Sequence, residues 1–183
     1  MAHATLWFTG GRVASFRMKV RKAHAPAPAR DGSGMELGRL AAPRAADLLL
    51  ELAARGGSDG EELIAAASLA DSAVVWPRLL ELARNRKLDR DARQAAVFWL
   101  SQAAGFAATQ GLDSIIADPT GDRDVREHAV FALSQRPEDE AVPALIRIAR
   151  SHSDPSIRRK AMFWLGQTGD ERAVALFEDI LRR

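Results

Sequence analysis

The segment VREHAVFALSQ (Val125–Gln135) decides the fold, because the chain contains it in three closely similar forms. The upstream copy is ARQAAVFWLSQ (Ala92–Gln102), and the downstream copy is IRRKAMFWLGQ (Ile157–Gln167). Corresponding residues of successive copies are 33 and then 32 positions apart. A fixed period of about 30–50 residues indicates stacked supersecondary units rather than one unrepeated core.

The repeated segment is apolar on too many sides to be a surface helix. Ala129–Leu133 is a run of five apolar residues, which at about 100° per residue surrounds the whole helix. Such a helix must be covered both by a second helix and by flanking copies. A second helical segment follows each copy: Ala107–Ala117, Ala141–Arg150 and Arg172–Leu181. The sequence therefore predicts an all-α fold, an α-solenoid (α-α superhelix) of stacked helix pairs.

An earlier and more degenerate copy precedes these three. Val74–Arg86 matches Glu140–His152 at a spacing of 66 residues. The predicted solenoid therefore covers residues 38–183 and contains about four helix pairs. Its predicted units are a partial one at about 43–57, followed by 58–88, 89–121, 122–153 and 154–183.

The N-terminal segment is the only β-like part of the sequence. Two apolar-rich runs flank Gly10-Gly11, and two glycines supply the positive φ that a tight hairpin turn needs. Residues 1–21 are therefore predicted to form a small β-hairpin, and the Ala-Pro and Gly-Ser alternation of residues 22–37 predicts a linker. The first helical segment is rich in Ala and Leu, so we expect the hairpin to cover it, while charged residues on the last helix face water.

Composition excludes several functions. The chain has no cysteine, so disulfides, thiolate metal sites and thiol catalysis are absent. No apolar run approaches the roughly 18 residues of a membrane span, and no signal-peptide h-region is visible, which predicts a cytoplasmic protein. Net charge is +2, yet residues 1–40 hold seven basic and two acidic side chains, so the remainder is net negative.

No catalytic or metal-binding pattern is visible in the sequence. The four histidines lack the spacing of a metal motif such as H-E-x-x-H. No serine stands in G-x-S-x-G, and the glycine-rich stretches lack the Lys-Ser/Thr of a phosphate-binding loop. The sequence therefore predicts no catalytic residue, no metal, no cofactor and no enzymatic activity.

The pattern Asp-x-x-[Val/Ile]-Arg-x-x-Ala-x-Phe-x-Leu-x-Gln, followed by Ala-Val-x-x-Leu, resembles bacterial HEAT repeats. It is most similar to the short HEAT-like repeats named after phycobilisome lyases. The resemblance is strong over Asp89–Arg183, weaker over Leu40–Leu88 and absent from Met1–Gly38; in the first copy Ala92 replaces Val or Ile. It implies a right-handed superhelix and protein–protein binding, but not lyase activity.

An aspartate and an arginine recur before and inside the first helix of each copy: Asp89 and Arg93, Asp122 and Arg126, Asp154 and Arg158. Each aspartate is placed to cap its helix. An arginine near a helix N-terminus opposes the macrodipole, so its recurrence needs a reason. One reason is a local pair at a spacing of four residues, and the resemblance implies another, a ladder to acids of neighbouring repeats. The alternative is a row that faces a ligand.

A second recurring set combines aromatic residues with glutamine. The candidate partner-binding residues are Trp99, Gln102, Gln135, Trp164 and Gln167. In one interpretation each glutamine bonds the turn into the second helix, and the aromatic residues fill the core. In the other, Trp99 and Trp164 end an exposed stripe that dips at Ala132, because tryptophan is a typical binding anchor.

The predicted function is a non-enzymatic scaffold or adaptor that presents one helical surface to a protein partner. One alternative is nucleic-acid binding through the basic N-terminal arm, which should weaken steeply with salt. The other, implied only by the lyase-type resemblance, is an accessory role in cofactor attachment. The sequence does not indicate an oligomeric state.

Overall fold

The computed structural model describes residues 2–9, 12–20, 40–70, 73–103 and 105–182. Within these ranges two strands, β1 (Ala2–Thr9) and β2 (Arg12–Val20), pair antiparallel with Leu6 opposite Phe16. The predicted turn at Gly10-Gly11 and the predicted linker 22–37 lie outside the described residues. The helices are α1 (Ala42–Ala54), α2 (Gly60–Ser68), α3 (Trp76–Arg84), α4 (Arg90–Gln102), α5 (Phe106–Ala117), α6 (Arg123–Ser134), α7 (Glu138–Ser151), α8 (Pro155–Thr168) and α9 (Glu171–Leu181).

The chain divides into two compact units, Met1–Val75 and Trp76–Arg183. In the first unit α1 packs against α2, and β2 approaches α2. Leu50 of α1 and Ile64 of α2 are fully buried. The boundary between the units falls inside the predicted repeat 58–88, so that division into repeats stays a prediction.

The second unit is built of two helical layers. Along one layer α4, α6 and α8 contact each other in succession, and along the other α3, α5, α7 and α9 do so. The core between the layers is formed by leucines that are almost wholly buried: Leu79, Leu100, Leu112, Leu133, Leu145, Leu165 and Leu176. The predicted all-helical, solenoid-like architecture is thereby confirmed for this unit, and the predicted second helices agree with α5, α7 and α9 to within three residues.

Small residues and helix caps explain why the repeated segments form these helices. Ala96, Ala129 and Ala161 are fully buried, which lets neighbouring helices of one layer approach closely. The side chain of Asp89 accepts a hydrogen bond from Ala92 N at 2.7 Å, which satisfies one of the free N–H groups of α4. Asp122 and Asp154 cap α6 and α8 in the same manner.

The last helix differs from the sequence-based expectation. Its outward face carries charged residues, as expected, but Val174, Ile180 and Leu181 are 51%, 40% and 86% exposed. The outer surface of α9 is therefore mixed rather than polar. The helices that pack against α9 in the described part of the chain are chiefly α7 and α8, so apolar positions on its other sides are left exposed.

Candidate functional site

The recurring arginines reach from one repeat to the next. Arg93 donates from Nη2 to Asp122 Oδ2 at 3.3 Å, and Arg126 donates from Nη1 to Asp154 Oδ2 at 3.4 Å. Both arginine side chains are nearly buried. Arg93 Nε also donates to Asp89, the aspartate four residues before it, but to its carbonyl oxygen at 3.3 Å rather than to its carboxylate. The geometry is that of a ladder between repeats rather than of a local pair at a spacing of four.

The ladder also binds backbone groups between the repeats. Ile116 O accepts hydrogen bonds from Arg126 Nε at 3.1 Å and from the His152 ring at 3.2 Å. Arg158, the last arginine of the series, has no following repeat within the described residues and donates to the carbonyl oxygens of His152 and Ser153. The series therefore lies between packed helices and does not present a row of free guanidinium groups.

Hydrogen bonding favours the ionised carboxylates of the ladder. Burial acts to raise the pKa of Asp122, yet hydrogen bonds from Arg93 and from two backbone N–H groups bring it below its ordinary value. The pKa of Asp154 is also lowered, chiefly by the N–H of Ser156. Both aspartates remain charged at neutral pH, as the ion pairs require.

Arg136 is a second buried arginine, and it departs from the repeat. It follows α6, is 8% exposed, and donates to Thr109 Oγ1 at 2.9 Å and Glu140 Oε2 at 3.1 Å. Thr109 in turn donates to Glu140. The guanidinium of Arg136 also donates to three backbone carbonyls before α5: Ser101 O at 2.9 Å, Ala103 O at 2.5 Å and Gly105 O at 3.1 Å.

The sequence does contain one indication of this residue's role, which is that Arg136 differs from the residues at the equivalent positions of the other copies. The positions that correspond to Arg136 are Ala103, 33 residues earlier, and Thr168, 32 residues later. A long charged side chain where the other copies have a short one indicates a contact specific to that junction. Arg136 thus connects the α4–α5 junction to the start of α7.

The outward side of the α4–α6–α8 layer carries an aromatic cluster, which we name the aromatic face. It consists of Phe98, Trp99, His128, Phe131, Phe163 and Trp164. Phe98 and Phe163 are the most open members, at 41% and 57% exposure. Both phenylalanines thus expose apolar surface, one on each outer helix of this layer.

The rings of the aromatic face form pairs within α4, α6 and α8, and one pair joins α6 to α8. The ring centroid of Trp164 lies 5.0 Å from that of Phe131 on the neighbouring helix and 5.0 Å from that of Phe163. The Trp164 and Phe163 rings are edge-to-face, with an interplanar angle of 80°. Phe98 and Trp99 form a similar edge-to-face pair at 5.4 Å. Pairs of this geometry are favourable beyond their burial alone, so each pair helps to hold its rings in place.

The predicted stripe with Trp99 and Trp164 at its ends needs correction. Both tryptophans are half-buried, and the residues that face water most are the phenylalanines beside them. The predicted dip at Ala132 is filled, because Ala132 is buried and Trp164 leans from α8 onto Phe131. In the part of the chain that the structure describes, Trp164 Nε1 is buried without a hydrogen-bond acceptor.

The three glutamines stand at the C-terminal ends of α4, α6 and α8, and all are exposed. Gln102 Nε2 donates to Ser101 Oγ at 3.1 Å, and Gln135 Nε2 donates to Ser134 Oγ at 3.2 Å. The expected bond from each glutamine to the turn before the second helix is not formed by these two residues. Both residues are exposed and follow the exposed or half-buried phenylalanine of the same repeat by four positions.

His128 places a titratable ring inside the aromatic face. Its ring lies 5.7 Å from that of Phe131, and burial lowers its pKa below the ordinary value of 6.5. Because the unfolded chain then binds the proton of His128 more readily than the folded chain, protonation of this ring destabilises the fold. The contribution of His128 to the unfolding free energy is therefore fully present above about pH 6.5 and is lost as the pH falls below it.

We therefore expect wild type to lose unfolding free energy between pH 7.5 and pH 5.5, and His128→Leu to lose less over the same interval. The acidic residues with lowered pKa values take up protons, and so reduce stability, only below about pH 4.5, which is outside this interval. Urea unfolding of both proteins at the two pH values measures the difference. Equal losses in the two proteins would contradict the assignment.

The opposite layer carries the basic residues that a nucleic acid would need, but most of them are paired. Arg78 pairs with Glu81 at 2.6 Å, and Arg147 with Asp113 at 3.0 Å. Arg150 Nη2 lies 3.7 Å from Asp179, and Arg84 donates to Ser114 Oγ at 2.8 Å. These contacts leave no continuous basic stripe on the described part of this layer.

Other kinds of site were not found in the described residues. No group of three His, Cys, Asp or Glu side chains there has the arrangement of a metal site. None of the described helices is long and apolar enough to cross a membrane.

Comparison with known families supports the repeat assignment. Residues 109–183 match the family model described as HEAT repeats. The matched part runs from inside α5 to the end of the chain, so the resemblance to HEAT repeats is confirmed there. The finer similarity to the phycobilisome-lyase type stays a prediction. No curated protein matches the chain.

Proposed function

We propose that the protein is a non-enzymatic interaction scaffold or adaptor, and that it binds a protein partner through the aromatic face. HEAT repeats generally serve as protein-interaction surfaces, and residues 109–183 match that family. The observation that carries the proposal is the exposure of Phe98 and Phe163 beside half-buried, mutually packed rings. A partner that covers these rings removes apolar surface from water, which favours binding.

The exposed glutamines give this surface a polar edge that suits a protein partner. An amide side chain can donate and accept hydrogen bonds at once, so Gln102, Gln135 and Gln167 can pair with backbone groups of a partner. An apolar centre beside a polar rim is the usual anatomy of a protein–protein interface. Trp99 and Trp164 support the rings that the partner covers.

The test compares two exposed-phenylalanine variants in affinity capture from a nuclease-treated lysate of the source cells. Phe98→Ser/Phe163→Ser removes the two most exposed rings of the aromatic face, whereas Phe106→Ser changes a phenylalanine of the opposite layer that is at least as exposed, at 59%. We expect the double variant to lose its captured protein and Phe106→Ser to keep it. Retention by the double variant, with its helical circular dichroism unchanged, would overturn the proposal.

The same experiment separates the alternatives. Capture that occurs only from a lysate without nuclease treatment, or that is lost on removal of residues 1–37, would assign the function to the basic N-terminal arm and a nucleic acid. A captured protein that gains a covalently attached cofactor only when the wild-type chain is present would favour the accessory role in cofactor attachment.

The N-terminal hairpin also belongs to the proposal. β2 approaches α2 within the first unit, which supports a role for residues 1–21 as the cover of the apolar first helices. Removal of residues 1–37 should then lower the melting temperature, and an unchanged melting temperature would exclude that role.

A further inference from the structure

Within the described residues, most charges of the α4–α6–α8 layer are held in ion pairs or hydrogen bonds, and two are not. Most acids there are neutralised: Asp124 pairs with Arg90 at 2.5 Å, and Glu127 pairs with Arg123 at 2.9 Å and with Lys160 at 3.6 Å. Two charged side chains of α4 and α8 form no ion pair or hydrogen bond within the described residues: Asp91 of α4 and Arg159 of α8. Both are exposed, and they have opposite signs.

Each of these two charges lies on the same side of its helix as the exposed phenylalanine of that helix. Asp91 precedes Phe98 by seven residues, which places both on one side of α4. Arg159 precedes Phe163 by four residues and is therefore its neighbour on α8. Each outer helix thus carries an unpaired charge near its N-terminus, an exposed phenylalanine in the middle and a glutamine near its C-terminus. The central helix α6 separates the two.

We propose that the partner of the aromatic face is a second copy of this chain, docked face to face about a two-fold axis that runs along α6. Such a rotation keeps the helix direction and places α4 opposite α8 of the other copy. Asp91 then faces the partner's Arg159, and Phe98 faces the partner's Phe163. This inference rests on the proposed function, because it takes the aromatic face as the binding surface.

Charge complementarity selects this occupant. A two-fold axis repeats every contact, so the unpaired acid of one copy meets the unpaired base of the other twice. The acids of α6, which lie next to the axis, are already neutralised by Arg90, Arg123 and Lys160. Their approach to the partner's α6 therefore brings no uncompensated like charges together.

The size of the face sets the strength to be expected. A helix of 13 residues such as α4 is about 20 Å long, and three helices side by side span roughly 30 Å. The patch is therefore about 600 Å² per copy, below the roughly 800 Å² per partner of a standard interface. We expect a reversible dimer with a dissociation constant in the micromolar range rather than an obligate one.

The test is a charge exchange followed by analytical ultracentrifugation of the full chain over about 5–500 µM, a range chosen to cover micromolar dissociation constants. We expect wild type to dimerise, and Asp91→Arg and Arg159→Asp each to raise the dissociation constant at least tenfold. An equimolar mixture of the two variants should regain the dimer, because each copy then offers two like charges to two opposite ones. Asp139→Arg, an exposed acid at the second position of α7, is the matched control and should behave as wild type.

A wild-type chain that stays monomeric throughout this range would overturn the dimer. So would a mixture that dimerises no better than its separate components. If the chain is monomeric but Phe98→Ser/Phe163→Ser still loses a captured protein, the proposed function stands with a different partner. If neither self-association nor capture depends on the aromatic face, both proposals fail.

Discussion

Replacement of Arg136 by methionine should lower the unfolding free energy by about 3–5 kcal/mol, the usual cost of breaking a buried ion pair from one side. The guanidinium supplies donors to three backbone carbonyls before α5 as well as to Thr109 and Glu140. Methionine fills much of the same volume but donates nothing. The carbonyls would then lose their hydrogen bonds, and Glu140, only 18% exposed, would lose its charge partner.

Urea unfolding of the full chain measures this loss, and Arg147→Met is the matched control. Arg147 belongs to α7 and pairs with Asp113, but its side chain is 57% exposed, so the pair is screened by water and its removal should change stability little. A variant of Arg136 that is no less stable than the Arg147 variant would show that the cluster is not energetically important.

Replacement of Leu133 by alanine should cost about 2–5 kcal/mol, the range for large-to-small changes in a packed core. Leu133 is fully buried in the last turn of α6. That helix contacts α4 and α8 within its layer and α5 and α7 in the other. With neighbours on so many sides, the cavity left by the missing atoms cannot collapse without moving several helices.

The control for this change is Leu181→Ala at the end of α9, where the leucine is 86% exposed. Its truncation should alter the unfolding free energy by less than about 0.5 kcal/mol, as for ordinary surface substitutions. Similar losses for the two variants would indicate that α6 is not enclosed in the way described.

The repeat period made the helical architecture predictable from sequence. Three aligned copies place Ala96, Ala129 and Ala161 at equivalent positions, and all three are fully buried between helices. Asp89, Asp122 and Asp154 precede the repeated helices and cap them. These features depend on local sequence and on helix periodicity, which a single chain records directly.

The details of the surface depend on how neighbouring helices meet, and the period does not carry that information. The sequence left open whether Trp164 fills the core or ends an exposed stripe; its ring leans across onto Phe131 of α6, and Phe163 is the more exposed residue. The choice of Asp122 rather than Asp89 as the side-chain partner of Arg93 likewise follows from the packing of α4 on α6. Arg136 was missed because it has no equivalent in the other copies.

The central claim is that a protein covers the outward side of the α4–α6–α8 layer. The chain has no cysteine, so a single introduced thiol reports one position cleanly. Gln135→Cys places it on the edge of the aromatic face, and Arg147→Cys places it on the exposed side of the opposite layer.

The decisive measurement is the rate of maleimide labelling of each variant at nanomolar concentration, where the chain is monomeric, in buffer and in a desalted, nuclease-treated lysate of the source cells. We predict that the lysate slows labelling of the Gln135→Cys protein several-fold and leaves that of the Arg147→Cys protein unchanged. If the lysate slows labelling equally at both positions, or slows that of the Arg147→Cys protein more, the assignment of the aromatic face as the binding surface is contradicted.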